Sequence, residues 1–157
     1  MQTDFDQLIA EHSGRIRAVV RRYASSQSQE DLYQDILMQL WRCFPGFRGD
    51  SRVETWIYRV SLNTAMTQVR KAIREREVHA QAKSMTVDAA GANEDQSQAD
   101  VMNHFLNSLG DIDASLLMMY LDGLTAQEMS QALGVSSGAI AVRINRMKAK
   151  FKREYVD

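Results

Sequence analysis

The residues with the clearest chemical capacity lie near the C-terminus. Between Arg143 and Arg153 the chain carries six basic side chains and no acid. Asparagine can pair with adenine, and arginine with guanine, through two hydrogen bonds each, so Asn145 and Arg146 have the chemistry to read base edges. Lys148, Lys150 and Lys152 have the chemistry to hold phosphates. No comparable set exists for making or breaking bonds. His12, His79 and His104 are far apart, with neither an i,i+4 partner nor a His-Glu-x-x-His pattern. Cys43 is the only cysteine, which excludes an intramolecular disulfide and argues against a cysteine-based zinc site; its expected role is that of a small apolar filler near a helix end. No phosphate-binding loop, dinucleotide fingerprint or nucleophile elbow is present. The chain is therefore expected to be no enzyme and to need no metal or cofactor.

The elements that must position these side chains read as all-helical. Proline occurs once, at Pro45, and apolar residues recur at spacings of three and four rather than two. Phe5, Leu8, Ile9, Ile16, Val19, Val20 and Tyr23 make one stripe, with a possible break near Ser13-Gly14. Leu32, Ile36, Leu37, Leu40, Trp41 and Phe44 make the next, opened by Glu30-Asp31 at the favourable end of the helix dipole and stopped by Pro45-Gly46. After a loop, Ser51-Arg52-Val53-Glu54 has the form of a capping box with Ser51 at the N-cap, opening a helix with Val53, Trp56, Ile57 and Val60 on its apolar face. Residues 79–100 are poor in apolar anchors and read as a flexible acidic linker. Beyond it, Val101, Phe105 and Leu109 suggest a helix, and Ile112, Leu116, Met119 and Tyr120 another. Thr125-Ala126-Gln127-Glu128 is a second capping box, opening a short helix that ends at Gly134. Ile140, Ile144, Met147 and Phe151 then give a long helix one buried face. A 100° step per residue puts Gly138, Val142, Asn145, Arg146, Ala149 and Arg153 opposite that face. A capped helix, a glycine turn and a basic helix together form a helix-turn-helix pattern, whose second helix enters the major groove. The expected architecture is two small helical domains, 1–78 and 101–157, joined by the linker.

Charge is unevenly shared. Residues 1–80 hold 12 basic and 10 acidic groups, residues 81–124 hold 1 and 7, and residues 125–157 hold 6 and 3, so the net −1 conceals an acidic middle between two basic ends. The longest apolar runs, such as Leu116 to Leu121, are far shorter than the roughly 20 residues of a membrane span, and the polar start lacks a signal-peptide core. A cytoplasmic protein without membrane insertion is the expectation.

In the N-terminal half, Glu30-Asp31-Leu32-Tyr33-Gln34-Asp35, Leu40-Trp41-Arg42, Phe47-Arg48-Gly49-Asp50-Ser51 and Thr55-Trp56-Ile57-Tyr58-Arg59-Val60-Ser61-Leu62-Asn63 closely resemble the polymerase-binding and −10-reading domain of extracytoplasmic-function sigma factors. Gly123 to Met129 and Leu133 to Ile140, followed by Arg143 and Arg146, resemble the −35-reading domain of the same family. The resemblance implies an alternative sigma factor that binds core RNA polymerase and directs promoter recognition, melting and initiation, held in check by an anti-sigma factor. It points to Asp31, Gln34 and Asp35, with Ile36, Met38 and Gln39 beside them, as the polymerase grip. It assigns capture of a flipped −10 base to Phe47, Arg48, Gly49, Asp50, Ser51 and Asn63, with Arg59, Arg70, Lys71 and Arg74 as strand-backbone contacts. Around Asn145 and Arg146, it adds Ser137, Gly138, Val142 and Arg143 to the −35 surface.

Two departures bear on this. The family's usual Leu-Pro is Leu109-Gly110 here, and its Gly-Thr-Val is Gly138-Ala139-Ile140, which removes a hydroxyl near the DNA backbone. Ala141 and Val142 stand where many relatives place polar readers. A free-standing helix-turn-helix regulator and a protein-interaction adaptor that no longer reads DNA are the alternative readings. The near-zero net charge gives a first test, because nucleic-acid affinity rests largely on neutralised phosphates. In an anisotropy titration at physiological salt the chain alone is expected to bind promoter duplex no tighter than about the micromolar range of non-specific complexes. Nanomolar binding without polymerase would favour the free-standing regulator.

Overall fold

The computed structural model describes residues 2–49, 51–79 and 98–156. Asp50 and most of the expected linker lie outside them. All regular elements among the described residues are helical, in the order α1 (Gln2–Tyr23), α2 (Gln29–Cys43), a 3-10 turn (Phe44–Gly46), α3 (Val53–His79), α4 (Gln98–Ser108), α5 (Asp111–Leu121), α6 (Ala126–Leu133) and α7 (Ser137–Tyr155). The helix α1 continues without a break through Gly14, so the stripe Ile16, Val19 and Val20 is fully buried on a single 22-residue rod. It packs with α2 and α3 as an N-terminal group whose centre is Ile36, Leu40, Ile57 and Leu62. The second group, α4 to α7, closes over Phe105, Leu116, Met119, Ile140 and Met147.

Local signals set both ends of α6 and the start of α7. Thr125 caps α6 as the sequence requires: its hydroxyl accepts from the Glu128 backbone N–H at 3.1 Å, and the Glu128 carboxylate accepts from the Thr125 N–H at 2.9 Å. Gly134 ends α6 at φ +75°, a left-handed conformation that only glycine adopts without strain. Ser136 caps α7 through the Ala139 N–H. The other expected capping box fails, however. The first hydrogen bond of α3 runs from the Trp56 N–H to the Arg52 carbonyl, which makes Arg52 rather than Ser51 the N-cap, and Glu54 turns to pair with the Arg52 guanidinium at 3.5 Å. Cys43, the last residue of α2, is exposed rather than a buried filler. Gln98 to Asp100, read as linker, form the first turn of α4.

The two groups are packed together. Helix α3 lies against α6 and α1 against α5, and the buried apolar residues of both groups join in one cluster. Polar bonds tie the seam. The Arg15 fork grips Asp122 at 2.5 Å and 3.1 Å, and the Tyr58 hydroxyl donates to the same carboxylate at 2.8 Å. Arg22 donates to the Leu109 carbonyl at 2.7 Å, and the Tyr23 hydroxyl donates to the Asp111 carbonyl at 2.8 Å while also meeting Ser115. Burial and the bond to Asp122 push the Tyr58 phenol well above its ordinary range, so it remains a donor.

His12 makes this seam sensitive to pH. It is buried, and its Nδ1 accepts from Arg15 at 3.0 Å, which requires the neutral ring. Burial, and then the Arg15 charge, lower its pKa below 6.5 against the opposing pull of Glu54, Glu11 and Asp122. A group depressed on folding contributes stability that is fully present above its unfolded pKa and lost as the pH falls through its folded one. Urea unfolding is expected to show stability falling from about pH 7.5 to about pH 5 more steeply in the wild type than in His12→Gln. Parallel pH profiles would remove His12 from the account.

Candidate nucleic-acid interface

Helical geometry sorts the residues of α2 into two faces. Ile36, named in sequence as part of a polymerase surface, is completely buried, together with Leu32 and Leu40 one turn either side. It is core and cannot touch a partner. At 100° per residue, Asp31, Gln34, Met38 and Trp41 fall within one narrow sector opposite Ile36. All four are exposed, Met38 at 57% and Trp41 at 49%. Trp41 was expected in the apolar stripe, but it lies five residues beyond Ile36 and so about 140° round the helix. It shields one edge on Phe5, at 4.9 Å between ring centroids, and joins Met38, Arg42, Phe44 and Pro45 around a shallow groove of about 370 Å³. The angular position of Trp41 carried that signal in the sequence. Asp35 is half-buried and accepts a hydrogen bond from Gln68, so it ties α2 to α3 as well as bordering this face.

The loop after α2 forms a second feature. Phe47 stacks on the buried Trp56 at 4.8 Å between centroids and 29° between planes. Phe47, Arg48, Ser51, Thr55 and Arg59 line a polar cleft of about 510 Å³, and Gln131 of α6 closes one side. Gly49 in that loop is left-handed, at φ +77°. Asp50 lies outside the described residues. Asn63 is exposed one turn beyond Arg59 on the same face of α3, outside the cleft itself. Arg70, Lys71 and Arg74 are exposed further along, with Arg70 on the rim of a groove between α3 and α5 that Arg143 also borders.

The third feature is the outer face of α7. Gly138, Val142, Asn145 and Arg146 are exposed along it, and Ser137 opens the helix. Other basic groups are diverted. Arg143 pairs with Asp113 at 2.9 Å, tying α7 to α5, so its first role is within the fold. The Lys148 ammonium lies over the Tyr120 ring at 4.7 Å and that of Lys150 over Phe105 at 6.0 Å, which leaves both stems on the protein and their charges at its edge.

Two family models match the chain in order: Sigma-70 region 2 over residues 8–75, and Sigma-70, region 4 over residues 104–151. The chain belongs to the sigma-70 family. Among its relatives are the ECF RNA polymerase sigma-E factors of Escherichia coli strain K12, 25% identical with 94% of this chain and 84% of that protein covered, and of Haemophilus influenzae, 22% identical with 92% and 83% covered. Similar solved structures are the sigma factor RpoE in complex with the anti-sigma factor NepR from Bartonella quintana, at a TM-score of 0.78 and 22% identity over 96% of this chain and 95% of that one, and CnrH in complex with the cytosolic domain of CnrY, at 0.66 and 21% over 98% and 88%. These relatives place it in the extracytoplasmic-function (ECF) group, as an alternative sigma factor that directs promoter recognition and initiation.

For a sigma factor the division on α7 has a measurable consequence. With core polymerase present, Arg146→Ala is expected to lose about 1–3 kcal/mol of preference for its cognate base, with thermal stability unchanged. Arg143→Ala is expected to lower stability by less than about 1 kcal/mol, since its ion pair is partly exposed. Competition with base-substituted promoters, alongside melting curves, separates the two. An Arg146 variant with intact base preference would move the reading elsewhere.

Proposed function

We propose that this sigma factor divides its work among the three surfaces. The exposed sector of α2, with Asp31, Gln34, Met38 and Trp41 and with Asp35 at its edge, docks on core RNA polymerase. The cleft beside the Phe47–Trp56 stack receives a −10 base flipped from the melted strand, with Asn63 and Arg59 guiding the strand toward it and Arg70 and Lys71 holding its backbone. The outer face of α7 reads the −35 element through Asn145 and Arg146. Ser137, Gly138 and Val142 supply close approach and apolar contact there, with Lys148 and Lys150 near phosphates. The N-terminal unit ends near residue 78 and the C-terminal unit begins near 101, with the acidic segment between them as spacer.

The observation that carries this reading is the pairing of a polar, aromatic-floored cleft with a separate exposed apolar sector on the same helical group. Unstacking a base costs a few kcal/mol, and a cleft that offers both a ring edge and hydrogen-bond donors offsets that cost. An exposed methionine and tryptophan beside charged residues have the composition of a protein-binding surface. Polymerase performs the nucleotide chemistry, and the factor contributes recognition and melting. Its relatives' complexes with anti-sigma factors suggest a protein antagonist for this chain too. Among the described residues no helix is long and apolar enough to cross a membrane, and a cytoplasmic site of action goes with polymerase binding.

One pair of measurements tests the division. Gln34→Ala with Trp41→Ala is expected to lower affinity for core enzyme at least tenfold, each lost anchor costing about 1 kcal/mol or more. Asn63→Ala is expected to leave that affinity intact while reducing permanganate-detected promoter opening. Equal core affinity in a folded Gln34/Trp41 variant, or normal opening by Asn63→Ala across several promoters, would refute the corresponding assignment.

A further inference from the structure

We infer that the cleft between α1 and α4 is a binding site for a free adenine nucleotide, a role separate from the three surfaces assigned above. The cleft measures about 520 Å³, within the range of small-ligand sites. Its walls come from α1, the start of α2 and α3 on one side and from α4 and α5 on the other.

The apolar part of the lining is Met102, Leu106 and Leu121 together with the buried Met118 and Tyr58. The Tyr58 hydroxyl is committed to Asp122, so its ring is what remains for the cleft. An apolar floor of this kind takes the face of a flat ring out of water.

The polar part is two guanidiniums and three carboxamides. Arg21 is exposed on α1 and enters no ion pair among the described residues. Arg22 donates to the Leu109 carbonyl and to Asp111, but its Nε–H finds no acceptor among the described residues. Both arginines therefore keep hydrogen-bonding capacity that their protein partners leave unused. Among the described residues no carboxylate lines the cleft, so its charge favours an anion. Gln29 and the exposed pair Asn103 and Asn107, one turn apart on α4, add carboxamides that make no side-chain hydrogen bond among the described residues.

Guanidiniums match phosphate oxygens through forked N–H bonds, and a carboxamide meets the amino group and ring nitrogen of adenine through two hydrogen bonds. A bare phosphate would leave the carboxamides and the apolar floor uncovered, and a bare base would leave two cations unmet. An adenine nucleotide uses all three. A cleft of this size encloses one such molecule rather than a run of bases. Because its walls come from both helical groups, the bound ligand stabilises the folded chain as a whole, and the melting midpoint must rise with ligand concentration.

Titration calorimetry of the full chain with ADP, adenosine, inorganic pyrophosphate and CDP, in magnesium-free buffer, tests the assignment. ADP is expected to bind in the micromolar range, about tenfold or more tighter than each of the others. At a large excess over its dissociation constant it is expected to raise the melting midpoint by a few degrees. Arg21→Gln is expected to bring ADP affinity down to that of adenosine, and Asn103→Ala with Asn107→Ala to bring it down to that of CDP. All three positions are exposed, so helicity and unliganded melting are expected to stay as in the wild type; Gln29→Ala replaces the asparagine pair if that variant fails to fold. Absence of both heat and midpoint shift with every probe up to millimolar concentration would overturn the site. Pyrophosphate or CDP binding as tightly as ADP would overturn adenine recognition. Unchanged ADP affinity in the folded variants would place the nucleotide elsewhere and overturn the cleft. An oligoadenylate that displaced ADP as well as free ADP does would overturn the free nucleotide as ligand. These measurements need neither polymerase nor promoter, so failure of the promoter-reading assignment leaves their outcome unaffected.

Discussion

A carboxylate drawn partly out of water has to be met by donors, and the way Asp122 is met fixes where the two helical groups lie. Its oxygens receive a guanidinium fork from α1 and a phenol from α3, so one side chain at the end of α5 orients two helices of the other group. Fork geometry matters because two parallel hydrogen bonds fix direction as well as distance. Losing one partner of a fully buried pair costs about 3–5 kcal/mol. With roughly a quarter of each side chain still exposed, this pair is worth less, and its larger effect is on register. Around it, the unbroken α1 carries the constraint along its length: Arg15, Arg22 and Tyr23 all reach the C-terminal group from one rod. Arg15 and Arg22 lie seven residues apart, close to two full turns, and so share one face of it.

How much of this was legible in sequence depended on whether the signal was local. The Thr125 box, the Gly134 stop and the spacing of Ile140, Ile144 and Met147 each involve residues within two turns of one another, and all are found as read. Ser51 failed because Arg52 carries the capping role and its guanidinium also engages Glu54 and Glu128, and no local pattern reports a partner so far away in sequence. Trp41 was misplaced by counting it as apolar without following its angle round the helix. The seam as a whole was invisible, since its bonds link residues some 64 to 107 positions apart and its donors look like ordinary surface arginines and tyrosines in sequence. The candidate surfaces were named from motifs, whereas a resemblance of motifs does not carry the relation of one domain to another.

The outer face of α7 is chemically sparse. Ala139, Ala141 and Val142 offer no side-chain hydrogen bonds, and Arg143 is committed to Asp113. On the proposed reading, direct readout by this helix would concentrate on Asn145 and Arg146, while small side chains near its start would allow the backbone to approach a duplex closely. A reader built this way gains from an apolar contact such as that between Val142 and a thymine methyl, which adds discrimination without a polar partner.

The two tryptophans of the chain, Trp41 and Trp56, occupy contrasting environments: one half open to water on α2, the other sealed beneath Phe47 at the floor of the cleft. Indole emission follows the polarity around the ring, so the protein contains two intrinsic optical reporters with separable colours. Covering the first would shift the red component toward the blue, and a base stacked beside the second would quench the blue one. If docking covers the first ring and base capture reaches the second, each step would write its own signature in the native fluorescence, without any label being added.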